Sequence, residues 1–177
     1  MGLFLLMKLF QTFYCYPTDE EDPVNADLHP LPNDFSNIAN YFLKKSIVTA
    51  LAELRDPATR LVWRPVRKLL LNVLKSNDNA ENEYSDSYYL ATVISAVGSA
   101  FAAGVNLSGV VITEQDREID QQLYKEASDA NERAMTVDRL VPSYHNVVTE
   151  AGLQAQLKSI LVGQRTNDPR IFLSYTR

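Results

Sequence analysis

Five residues crowd one short stretch of the chain: Arg60, Trp63, Arg64, Arg67 and Lys68, with Arg55 just ahead of them. Guanidinium forks bind phosphate or carboxylate through paired hydrogen bonds, and an indole offers a flat stacking face. Such a set could take a phosphate backbone or the acidic tail of a partner. The same residues could also form a solvated edge between helices, with arginine stems laid over Trp63. The net charge of −5 gives no global pull toward nucleic acid, so any contact of that kind must be local.

No other set of residues carries a recognisable chemistry. His29 and His145 are far apart, and no H-E-x-x-H or C-x-x-C spacing occurs. His145, beside Tyr144, reads as a structural or surface residue. Phosphate-cradling, dinucleotide-binding and nucleophile-elbow glycine motifs are absent. Cys15 is the single cysteine, so no internal disulfide forms, which fits a reducing compartment. With no base nearby it reads as a small buried hydrophobe. The segment Asp78 to Glu83 superficially resembles a calcium loop. It lacks the central glycine and has Ala80 where an oxygen donor is needed, so it reads as caps and turns. The sequence therefore points to no enzyme, no metal, no cofactor and no small-molecule substrate.

The elements that must position these residues are helices. Six glycines argue against a chain of tight β-turns, and 46% apolar residues can build a core. Leu3, Leu6, Phe10 and Phe13 repeat at helical spacing. That first stretch lacks a basic leader and a cleavage site, has Leu6 where myristoylation needs Ser or Thr, and is too short to span a bilayer. Residues 17–33 hold an acidic run and Pro17, Pro23, Pro30 and Pro32, and are expected to form a solvated loop. Asn33 or Asp34 should cap a helix reaching Leu54, with Ile38, Phe42, Ile47, Leu51 and Leu54 inward. Pro65 suits the first turn of the next, which carries Val66, Leu69, Leu70, Val73 and Leu74. Ser85 or Asp86 should open a third, with Leu90, Val93, Ile94, Val97 and Phe101 inward and Gly104 closing it.

Residues 104–113 fit either a strand-like excursion or a helix extension. From Glu114 to Val137 runs a charged helix whose thin stripe, Ile119, Leu123, Ala127, Ala130 and Ala134, suits an outer layer. Ser143 should cap a helix carrying Tyr144, Val147, Val148, Ala151, Leu157, Ile160 and Leu161, ended by Gly163. Asp168-Pro169 should begin a last helix, cut short at Arg177. Helix starts near 35, 86 and 143 imply an all-α, HEAT/armadillo-like solenoid of antiparallel helix pairs, with a period slightly above the usual ~40–47 residues. Periodicity alone also allows a compact bundle. The expected organisation is a helix of a preceding repeat over 1–16, the acidic loop over 17–33, and a repeat segment over 34–177. As a slice of a solenoid, it should expose apolar faces at both ends.

Several short motifs then match one family in order. Asn33-Asp34-Phe35-Ser36-Asn37 with Asn40-Tyr41-Phe42 resembles the "NDFSxxxxYF" helix opening of the aminopeptidase-like TBP-associated factors of general transcription factor TFIID. Arg55-Asp56 is similar to the ending of that helix. Residues 69–89 (LLLNVLKSNDNAENEYSDSYY) resemble its "LLDLLKYNDNxxNxYSDxYY" segment. Residues 140–144 (LVPSY) and 169–175 (PRIFLSY) resemble its "LLPSY" and "PxLFxSY" elements. The resemblance implies a C-terminal HEAT-like solenoid in the nucleus, a non-catalytic scaffold in transcription initiation. It implies other TFIID subunits as partners, including the tail of a histone-fold subunit, and proximity to core-promoter DNA, with no membrane. The chain is far shorter than family members and lacks their aminopeptidase-like part. Residues 104–139 depart from the family pattern and suggest a lineage-specific insertion. The competing readings are the helical C-terminal segment of a zinc aminopeptidase and a nucleic-acid-binding helical module on Arg60, Arg64, Arg67 and Lys68.

Overall fold

The computed structural model describes residues 2–17, 28–56, 61–102 and 113–164. Helix α1 (Gly2–Tyr14) leads into strand β1 (Cys15–Pro17), which pairs antiparallel with β2 (Leu28–Pro30). Five further elements follow: α2 (Ile38–Glu53), α3 (Arg64–Lys75), α4 (Ser87–Phe101), the very long α5 (Glu114–Leu140) and, after a single 3-10 turn, α6 (Val147–Leu161).

The even-numbered helices form one layer. Tyr41 packs on Tyr89 at the starts of α2 and α4, and Arg55 reaches Ser99 near their ends, so the two run parallel. Helix α6 runs the same way, with Lys158 bonded to Ser99. The second layer holds α3 and α5, also parallel, joined by Arg64 to Asp116 near their starts and Lys75 to Glu126 further on. From α2 to α6, each helix thus touches its sequence neighbour and the helix two along, the contact pattern of a solenoid. The core lies between the layers. Helix α3 supplies Val66, Leu69, Leu70, Val73 and Leu74, all buried at the predicted spacing. Each contributes about 1.5–3 kcal/mol of apolar burial.

Four local expectations change. The cap of helix α2 lies three or four residues later than the predicted Asp34 or Asn33, because Asp34 accepts from the Ser36 amide and hydroxyl in a turn of its own. Asn37 then caps the helix through the Asn40 amide. Its buried face is Lys44, Ile47, Val48 and Leu51, while Ile38, Phe42 and Leu54 are exposed. A lysine can take the inner stripe because its ammonium finds acceptors there, described below. The loop expected from 17 to 33 contains part of a β-ribbon. Pro17 and Pro30 fit it because a two-stranded ribbon leaves the missing N–H unneeded on its outer edges. Asn72 donates to the Leu28 carbonyl and pins the ribbon to α3. At α6, Tyr144 falls outside the helix, and Leu157 and Leu161 are exposed. His145 and Asn146 both take left-handed backbone angles, so helix geometry begins only at Val147. Gly163 closes α6 as expected, at φ +74, with Gly163 N bonding Ile160 O and Gln164 N bonding Ser159 O.

Helix α5 carries the thin stripe, with Leu123, Ala127 and Ala130 buried, Ala134 half-buried and Ile119 exposed. Sequence periodicity missed three further buried residues on it: Asn131, Met135 and Asp138. The expected excursion at 104–112 and the last helix from Asp168 lie outside the described residues.

Candidate interaction surfaces

Of the predicted basic cluster, Arg60 lies outside the described residues. Trp63 precedes α3 and is exposed, as is Lys68. Arg64 and Arg67 come together on α5. Arg64 Nε bonds Asp120 Oδ1 at 2.9 Å and Nη1 bonds Asp116 Oδ1 at 2.8 Å. Arg67, buried, shares Asp120 Oδ1 at 3.1 Å, donates Nε to the Val62 carbonyl and lays its guanidinium over the Phe101 ring. These carboxylates fill the forks that a phosphate would use. The Thr113 hydroxyl, followed by Arg64, holds the Asp116 carboxyl below the usual carboxylate range. Asp120 and then Asp116 raise the Arg64 guanidinium. The signal was in the sequence: two acids four apart, on one face of a charged helix.

The most specific family motif folds into a single polar network. Asp86 accepts from Asn77 (2.7 Å) and Asn33 (3.4 Å), and Asn82 donates to the Asn33 carbonyl and to Asn79. Lys44 enters this network from α2. Its Nζ donates to the Leu31 carbonyl at 2.7 Å and to Asn33 Oδ1 at 3.0 Å, and sits 4.7 Å from the centre of the Tyr89 ring. Burial lowers its pKa from 10.5 to about 8. Burial pushes the half-buried Cys15 thiol up to about 11, against the pull of Lys44, so at neutral pH it is a poor nucleophile. These residues therefore position the turn between α3 and α4.

His29 faces Tyr16 across the ribbon, while His145 meets the Tyr144 ring edge-on before α6, so the fold keeps the two histidines apart. Among the described residues no group of three metal-binding side chains forms, and no helix is long and apolar enough to cross a membrane.

Open grooves among the described residues include two that border α4. One, of about 360 Å³, runs along α4 between α2 and α6. Its floor is small (Ala91, Thr92, Ser95, Ala96), and Lys45, Glu53 and Glu150 stand on its rims. The other, of about 700 Å³, lies behind the end of α5, where Leu74, Leu90, Ala134, Val137 and Val141 form its apolar wall. Asp138 organises the turn beside it, accepting from Ser143 N, Thr149 N and the Thr149 hydroxyl. Burial alone would raise this carboxyl, but the Ser143 and Thr149 donors outweigh it and hold it low. Sequence reading missed this turn because nothing in the spacing announces consecutive left-handed residues at His145 and Asn146.

Comparison with known proteins places the chain. A family profile described as "TAF2-like, TPR repeats" matches residues 2–177. The chain is 34% identical over 143 residues to transcription initiation factor TFIID subunit 2 of Danio rerio, covering 81% of this chain. It is 32% identical over 149 residues to the subunit of that name from Schizosaccharomyces pombe, covering 84%. The matched stretch spans 12% of the length of each of these relatives. A two-layer helical stack matched along nearly its full length, the chain belongs to the TAF2-like TPR-repeat family.

Proposed function

We propose that this chain is a non-catalytic scaffold segment of TFIID, acting in the nucleus during transcription initiation by RNA polymerase II. The observation that carries the reading is its likeness to relatives named as TFIID subunit 2. The fold supports it physically: stacked helices hold long, open, parallel surfaces in fixed register, and two grooves lie on them. Its partners are other TFIID subunits, among them the tail of a histone-fold subunit.

A second reading is contact with promoter DNA through Arg60, Trp63, Arg64, Arg67 and Lys68. Exposed Trp63 and Lys68 favour it. Arg64 must first leave Asp116 and Asp120. The test of the first reading is affinity purification of the tagged protein from nuclear extract, with bound proteins identified by mass spectrometry. Enrichment of TFIID subunits is expected, and their absence from a folded bait would refute the scaffold reading. For the second, DNA affinity that is steeply salt-dependent and weakened by Lys68→Glu is expected.

A further inference from the structure

We infer that the space between α4, α5 and α6 is an internal hydration site, where a small group of ordered waters donates to the side-chain oxygens of Asn131 and Gln156. The inference is independent of the scaffold reading.

Two carboxamides meet where these helices pack. Asn131 on α5 and Gln156 on α6 are 6% and 4% exposed, so bulk solvent does not serve them. Each spends its nitrogen inside the fold. Asn131 Nδ2 donates to the Gly152 carbonyl at 3.1 Å, which fixes the end of the amide that is oxygen. Gln156 Nε2 lies 3.7 Å from the Met135 sulfur, a weak acceptor that takes the N–H end. Asn131 Oδ1 and Gln156 Oε1 are then left with no donor from the protein. Buried acceptors in that state are costly, and native folds keep few of them.

Both residues line a cavity of about 40 Å³. A water needs roughly 10–15 Å³ of such space and two to four polar partners, so about two or three waters fit. The half-buried Tyr124 and Ser128, which line the same cavity, bring hydroxyls as further partners. No charged residue lines the space, so an ammonium group or a metal ion there would lack a counter-charge. A small neutral donor is what two amide oxygens in this setting accept, and water is the smallest.

Close packing on two sides keeps the cavity from closing. A Cβ at Gly98 would stand 2.6 Å from Ala155 Cβ, and one at Gly152 would stand 2.4 Å from Met135 Cγ. Helix α6 is thus seated on α4 at one glycine and on α5 at the other, as near as the backbones allow. The helices have no room to move together and let the two carboxamides bond each other. The waters complete the α5–α6 joint in their place.

The test is a crystal structure of the full chain, with a second crystal pressurised with xenon. Ordered water within hydrogen-bond distance of Asn131 Oδ1 and Gln156 Oε1 is expected, and no xenon, which enters dry apolar cavities. Xenon in the cavity, an empty cavity, or a protein donor seated on either oxygen overturns the inference. In solution, Gln156→Met keeps the side chain's length and removes the oxygen. The folding constant from urea unfolding should fall about three- to tenfold, because the waters lose an acceptor. A rise would mean that the oxygen was unmet in the wild type, and the inference fails. The crystal measurement uses the unaltered chain, so it decides even where the substitution prevents folding.

Discussion

Lys44 makes mildly alkaline pH stabilising over a narrow window. Its ammonium is buried against Leu31, Asn33 and Tyr89, and burial lowers its pKa from 10.5 to about 8. In the unfolded chain a lysine holds its proton to about pH 10.4. Between the two values the unfolded chain binds more protons than the folded one, so stability rises with pH. Allowing for gradual onset near the folded pKa, the gain between about pH 7 and pH 9 is about 1.3 kcal/mol. Cys15 acts in the opposite sense. Its thiol is raised by burial to about 11, so the unfolded chain ionises first and stability falls from about pH 9 upward. Tyr89, also raised by burial, adds to that loss above about pH 10. The assay is urea unfolding of the wild type and Lys44→Met at about pH 7, 8 and 9. Cys15 and Tyr89 are present in both proteins, so the difference between them isolates Lys44. It should move in favour of the wild type by about 1 kcal/mol across that range. A difference that stays flat, or moves the other way, refutes the reasoning.

Two further perturbations probe the packing. A Cβ at Gly98 would stand 2.6 Å from Ala155 Cβ and 2.9 Å from its Cα, so Gly98→Ala should lower stability by about 1–3 kcal/mol. Adding Ala155→Gly should recover part of that loss in thermal melts. Asp120→Asn weakens the acceptor that Arg64 and buried Arg67 share and should cost about 1–3 kcal/mol. Asp116→Asn, on the exposed side of the cluster, should cost less, and a denaturation series on the two variants ranks them.

Much of the fold was legible because burial imposes period. Val66, Leu69, Leu70, Val73 and Leu74 of α3 could be read from their spacing, and α4 nearly so, although the spacing did not announce buried Arg67 and Leu71. The α2 face was misplaced because one inner position is a lysine, which hydropathy assigns to solvent. Its place is settled by carbonyl acceptors on another segment, and spacing cannot supply those. The candidate sites divide in the same way. Arg64 and Arg67 stood out as a cluster, but their engagement with Asp116 and Asp120 is a tertiary fact, more than 50 residues away along the chain. The turn before α6 was hidden because its organiser is a single buried aspartate at the end of a different helix.

That aspartate also sets the order in which the molecule comes apart. Asp138 belongs to the last turn of α5, yet it holds the Ser143 amide before that turn and the Thr149 amide in the first turn of α6. Opening either helix end breaks bonds that Asp138 makes to the other, which couples the end of α5 to the start of α6. Whatever engages the turn between them therefore adds its binding free energy to both helix ends at once, and local unfolding there becomes a reporter of occupancy.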